Sequence, residues 1–155
     1  MRYLFTYMLL LFLMSCQTSK KGLDASTVKN NGLVISMKKT ICYGTCPAYE
    51  IKIYDNLKVS LKGEKYLDLI GSFEAKISKS RLSELSQMFS EANFFEFENK
   101  YYKAFSDLPT TYILFSQDGQ SKEIMDYYGA PEVLKKLEEE VAMLLDELDW
   151  KKVGE

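Results

Sequence analysis

Apolar residues recur at every second position in some segments and at every third or fourth in others, and that combination leaves few folds open. Leu33, Ile35 and Met37 alternate with Val34, Ser36 and Lys38. Tyr49, Ile51 and Ile53 alternate with Glu50, Lys52 and Tyr54; beyond the turn signal Asp55-Asn56, Leu57, Val59 and Leu61 alternate with Lys58, Ser60 and Lys62. These two runs predict an antiparallel hairpin, and Phe73, Ala75 and Ile77 predict a short strand after Gly71. The period then lengthens. Leu82, Leu85, Phe89 and Ala92 fall at helical spacing, opposite Arg81, Glu84 and Glu91, and Ser78 is placed to accept from the first free amides of that helix. A second hairpin is predicted from Thr110 to Ser116 and Ser121 to Tyr127, around Gln117-Asp118-Gly119-Gln120, where Asp-Gly supplies the positive φ of a tight turn.

Pro131 at the first turn opens the last helix, Glu132 suits its dipole, and Leu134, Leu137, Val141, Leu144 and Leu148 form its apolar stripe. On this reading Glu138, Glu139 and Glu140 include a solvated face and not an acidic active site. The expected class is α+β: an antiparallel sheet built from hairpins, with two helices on one face. Tyr49 to Ala92 and Thr110 to Leu148 share one plan, although their identity is too weak to assert a duplication.

The N-terminus imposes a second constraint. Arg2 is followed by an uncharged, strongly apolar run to Met14, too short to span a bilayer core of roughly 30 Å as a helix but suited to a signal peptide. Leu13-Met14-Ser15-Cys16 resembles the lipobox of bacterial lipoproteins, in which the cysteine thiol receives diacylglycerol and the chain is cut before it. Lipidation is therefore expected at Cys16, with residues 1–15 as signal peptide, 16–32 as a polar tether, 33–149 as one α+β domain and 150–155 as a tail. Several acyl chains, each contributing about 0.8 kcal/mol per buried methylene, would hold the protein on a membrane. Gln17 stands where enterobacterial lipoproteins carry an inner-membrane retention aspartate, so resemblance to that rule favours an outer-membrane anchor facing the periplasm.

Composition narrows the chemistry. The chain has 155 residues, 20 basic against 22 acidic side chains, and no histidine. Without histidine the Ser-His-Asp and Cys-His arrangements and the usual zinc sites are excluded. No basic stripe points to nucleic acid, and neither a metal nor a cofactor is expected.

Once Cys16 carries lipid, Cys42 and Cys46 remain, in Cys42-Tyr43-Gly44-Thr45-Cys46-Pro47. An oxidising compartment and a turn at Gly44 favour a structural disulfide, contributing on the order of 2 kcal/mol in the loop-entropy model. A redox-active pair is the alternative; such motifs usually space the cysteines by two residues and begin a helix. The connection from Asn93 to Pro109 is long and aperiodic, and holds Phe94, Phe95, Phe97, Tyr101, Tyr102 and Phe105. These rings form either a satellite core over one sheet edge or an aromatic surface for a partner, with Tyr127 and Tyr128 beside it. Asp107, before Leu108-Pro109, reads as a turn or cap residue.

Cys42 to Tyr49, Asp107-Leu108-Pro109-Thr110-Thr111 and Tyr128-Gly129-Ala130-Pro131 together resemble an uncharacterised domain family found mainly in lipoproteins of Bacteroidota. The resemblance spans about Val34 to Leu145. Many of that family's members carry histidine where this chain has Tyr127, so a role needing imidazole is lost here. The family implies no transferable activity.

The resulting expectation is a non-enzymatic envelope lipoprotein whose domain binds a protein or an extended peptide, with Tyr43, Tyr101, Tyr102, Asp107, Tyr127 and Tyr128 as candidate binding residues. It predicts no deep polar cleft, and a pocket lined by convergent carboxylates counts against it. The alternatives are a histidine-independent hydrolase, supported if Asp107, Glu96 or Glu98 cluster at a concave site, and a thiol-redox protein.

Overall fold

The computed structural model describes residues 32–105 and 107–154; the signal segment, Cys16 and nearly all of the tether lie outside them. The elements run β1 (Leu33–Lys39), β2 (Ala48–Tyr54), β3 (Lys58–Lys65), β4 (Gly71–Lys76), α1 (Lys79–Glu91), β5 (Lys100–Tyr101), β6 (Thr111–Gln117), β7 (Gln120–Asp126), α2 (Glu132–Glu147) and β8 (Lys151–Lys152). The described strands form one eight-stranded sheet in the order β5-β7-β6-β1-β2-β3-β4-β8. Its pairs are antiparallel apart from β5 against β7. The fold is α+β.

Alternation in the sequence becomes rows across the sheet. One row runs Lys122, Phe115, Ile35, Ile53, Val59 and Ala75, and the next runs Ile124, Ile113, Met37, Ile51, Leu61 and Phe73. Most of these residues are fully enclosed, and they share one apolar cluster with Leu85 and Phe89 of α1 and Leu134, Leu137, Val141 and Leu144 of α2. Each such side chain taken from water contributes roughly 1.5–3 kcal/mol.

Local chemistry sets where each element stops. Ser78 Oγ accepts from the Arg81 amide at 3.1 Å and starts α1. Asp118 and Gly119 both take positive φ, 52° and 77°, between β6 and β7, as a tight turn requires. Pro131 is the N-cap of α2, one position before the first helical turn assigned to it from sequence, and Leu148 is the C-cap. Arg81 ties the helices together: its guanidinium donates to Glu147 at 3.1 Å and to Glu140 at 3.0 Å. Glu140 is thus occupied by an ion pair and is not a purely solvated residue.

The connection 93–109 is better ordered than its sequence implied. Phe94–Glu96 is a 3-10 turn, Lys100–Tyr101 joins the sheet, and Phe94 is fully buried, 5.1 Å from Phe89 and 5.9 Å from Phe115 between ring centres. Its first half joins the core, whereas Tyr102 and Phe105 are exposed. Residues 151–152, within the expected tail, pair with β4.

Segment 66–70 folds back so tightly over β3 that a Cβ added at Gly63 would sit 1.7 Å from the Leu69 carbonyl oxygen. Since that obstacle is backbone, Gly63→Ala is expected to lower stability by about 1–3 kcal/mol and loosen segment 66–70. Chemical denaturation and limited proteolysis would show it; an unchanged midpoint and cleavage pattern would contradict the close approach.

Candidate functional site

The third row of the sheet departs from the apolar pattern. Asp126 pairs with Thr111, Thr111 with Lys39, and Lys39 with Tyr49. This row lies two residues beyond the Ile124–Ile113–Met37–Ile51 row on each strand, so it points the same way. Asp126, Thr111 and Tyr49 are buried. The polar row forms the floor of a site at one end of the domain.

From α2, Lys135 and Glu138 close over that floor. Lys135 Nζ forms an ion pair with Asp126 Oδ2 and lies 3.7 Å from Glu138 Oε2. Asp126 is 1 % exposed and Glu138 3 %, yet neither Asp126 oxygen nor Glu138 Oε1 receives a hydrogen bond of good geometry. Buried acceptors without donors are costly. Burial pushes the Glu138 carboxyl from its ordinary 4.5 up to about 7; Lys135 and Lys39 pull it down, while the Asp126 charge adds to the push. Burial, then the charge of Glu138, pushes the Tyr49 phenol up to about 12. Burial opposes the Lys135 charge, but bonding to Asp126 and the field of Glu138 outweigh it and hold the ammonium above its usual range.

Lys39, Thr111, Asp126, Lys135 and Glu138 line a cavity of about 310 Å³, walled also by Leu108, Pro109, Tyr127 and Glu139. Lys39 and Glu139 also line a larger groove of about 1280 Å³, which continues past Tyr49, Leu145 and Trp150 to the 66–69 segment. The two concavities therefore adjoin at Lys39 and Glu139, and we treat the adjoining pair as one trough. Asp68, Asp146 and Asp149 join Glu139 along the groove against Lys39 and Lys151, so its field is negative.

The expectation of no polar cleft is overturned, and so is the assignment of Glu138 to a solvated face. Both signals were present: Glu138 falls between Leu134 and Val141 on the apolar stripe, and Asp126 follows Ile124 by two. Asp107, Glu96 and Glu98 do not line the cavity. Among the described residues no cluster of histidine, cysteine, aspartate or glutamate could hold a metal ion.

The five tyrosines and one aspartate singled out from sequence fall around this end. Tyr43 is 89 % exposed, and its amide donates to the Asp107 carbonyl at 3.3 Å. Thr40 and Thr110 tie the same two segments, with Thr40 N donating to Thr110 O and Thr110 N to Thr40 Oγ1. Cys42 and Cys46 stand at disulfide distance, their Cα atoms 5.7 Å apart. Tyr127 lines the cavity, stacks on Tyr102 at 5.3 Å and donates its hydroxyl to Phe105 O. Phe105 packs on Tyr128 at 4.5 Å. Tyr101 differs: it is half-buried, and its carbonyl receives the amides of Tyr127 and Tyr128.

The Glu138 environment has a stability consequence. The folded chain holds this proton to higher pH than the unfolded chain does. The associated stability is fully present below pH 4.5 and is lost as pH rises through about 7. Wild-type protein is expected to lose up to about 3 kcal/mol through this group between those limits, and Glu138→Gln to lose correspondingly less. Urea unfolding at pH 5 and pH 8 compares them; identical losses would place Glu138 in water.

No curated protein matches the chain. The three motifs that meet at this site, around Cys42–Cys46, Asp107–Thr111 and Tyr128–Pro131, lie within residues 33–145, which match the family described as domain of unknown function DUF6438, and the chain belongs to that family.

Proposed function

We propose that this is a lipid-anchored protein of the bacterial envelope whose domain binds an extended, positively charged peptide segment of a partner. The observation that carries the reading is the trough: long, partly apolar, floored by a polar row and bordered by more acids than bases. An extended chain gains contact along such a surface, and acidic borders favour Lys or Arg at low ionic strength. Exposed Tyr102, Phe105 and Tyr128 flank its deeper end and add apolar contact area. Both helices are taken to cover the same face of the hairpin-built sheet, so that the partner meets the domain at its end. The tether would enter at the start of β1, opposite the Lys39 end, and the lipid at Cys16 would hold the domain at the membrane, on the periplasmic side of the outer membrane.

A hydrolase is the second reading, favoured by Glu138 titrating near neutrality beside a second carboxylate, as an acid–base pair would. Against it, Asp126 is engaged by Lys135, so the second carboxylate is committed to an ion pair.

Trp150 is the chain's one tryptophan and lines the groove, so its fluorescence reports occupancy. In full-length protein in nonionic detergent, deca-lysine is expected to shift that emission and bind at least tenfold tighter than its Nε-acetylated twin. Asp146→Lys with Asp149→Lys should erase most of that difference. Equal binding of the neutral twin would overturn the charge argument, and turnover of envelope peptides or glycans that is lost in Glu138→Gln would favour the hydrolase. Separately, Cys16→Ser is expected to release the protein from the membrane fraction; wild-type protein recovered unlipidated and soluble would refute the anchor.

A further inference from the structure

The cavity beneath Leu108 and Pro109 is a polar branch off the trough, and its charges do not balance. Asp126, Glu138 and Glu139 line it against Lys39 and Lys135, leaving one uncompensated negative charge when all are ionised. Asp126 Oδ1 and Glu138 Oε1 are buried and accept from no donor. Such a pair of acceptors calls for a group that brings both a positive charge and hydrogen-bond donors.

We infer that this cavity is the specificity pocket of the trough, receiving one ammonium or guanidinium head of the bound peptide onto Asp126 and Glu138. The inference rests on the peptide-binding reading above and deepens it by assigning where a basic side chain is read. The sealed position of Asp126 suits this role: a carboxylate behind Lys135 and Glu138 supplies field and an acceptor without having to reach outward. Leu108, Pro109 and the Tyr127 ring form the apolar part of the wall, which suits the methylene stem of Lys or Arg.

In the free protein a proton stands in for the ligand. Below neutrality Glu138 carries it, which makes the cavity electrically neutral. The groups that set its release face Glu138 from several elements: Lys39 on β1, Tyr49 on β2, Asp126 on β7, and Lys135 on α2 itself. When the ligand cation enters, the proton leaves Glu138 for solvent, one positive charge replacing another. Binding therefore strengthens as pH rises, by about tenfold per unit while Glu138 remains protonated in the free protein, and levels off above neutrality.

The test uses full-length protein in nonionic detergent with two probes, N-acetyl-lysine methylamide and its Nε-acetylated twin, and deca-lysine as the long ligand. The short cationic probe is expected to shift the carboxyl carbon resonances of Asp126 and Glu138, and the neutral twin to leave them unmoved. Deca-lysine affinity should rise about tenfold from pH 5 to pH 6, with calorimetry in two buffers showing proton release. Glu138→Gln, checked for a wild-type melting curve at pH 5, should lose that pH dependence and at least tenfold in affinity at pH 8. The comparison of the two short probes needs no variant and stands if Glu138→Gln fails to fold.

Deca-lysine binding that is independent of pH, and unchanged in Glu138→Gln, would overturn the pocket while leaving the trough. Resonance shifts with the short cation, without any Trp150 response to deca-lysine, would keep the pocket and overturn the extended-peptide reading. Equal shifts from the neutral twin, or from sodium alone at matched ionic strength, would overturn the cation-head assignment.

Discussion

A sheet that buries one face must keep its register across every strand, because a slip of one residue turns each side chain to the opposite side. In this fold that constraint passes through β1, which pairs with β2 on one side and β6 on the other. The pairs β2–β3 and β6–β7 each set their own register through a short turn. Only β1 brings them into common rows. Ile35 and Met37, both fully enclosed, lie in the two apolar rows that share a cluster with residues of both helices. Lys39 lies in the third row, joining Thr111 and Asp126 to Tyr49. The strand that makes the core continuous therefore also assembles the polar floor.

The trough follows from where the helices and loops end relative to that floor. α2 crosses the polar row with Lys135, Glu138 and Glu139, and its apolar stripe is interrupted at Glu138 alone among its buried positions. Arg81 fixes this helix against α1 through Glu140 and Glu147, which holds Glu138 over Asp126. On one flank the backbone at Gly63 admits the 66–70 segment, which forms a wall of the groove. On the other flank, the bonds between residue pairs 40 and 110 and between 43 and 107 bring the cysteine turn against the Leu108-Pro109 segment. The sequence motifs that looked unrelated along the chain are structural supports for one end of the domain.

Periodicity made the strands and helices legible, and the caps at Ser78 and the turn at Asp118-Gly119 were readable from local chemistry. The long connection was legible only in part. Nothing local distinguishes Phe94, which enters the core, from Phe105, which stays outside. The site was hidden for a different reason. Asp126, Lys39, Tyr49 and Glu138 are far apart in sequence, and their meeting depends on three strand registers and one helix placement. Each polar residue, taken alone, reads as an exposed interruption of an apolar pattern. At Glu138 the rule that glutamates in a helix face water fails, because its position on the stripe overrides its chemistry.

That override has a cost which the fold alone does not require. A domain shaped only by stability would carry apolar residues at positions 126 and 138, since a buried ion pair is commonly no better than well-packed hydrophobic side chains of similar size. Here the arrangement is weaker than a satisfied pair: Lys135 is 41 % exposed on its side chain, Asp126 is completely enclosed, and Asp126 Oδ1 and Glu138 Oε1 lack donors. Lys135 offsets one charge and leaves Glu138 to be neutralised by a proton. Filling the cavity with apolar atoms would remove the strain; filling it with a cation would relieve it as well, and would use every acceptor now left open. The second solution needs a group from outside the chain, and the trough leading to the cavity gives such a group a way in.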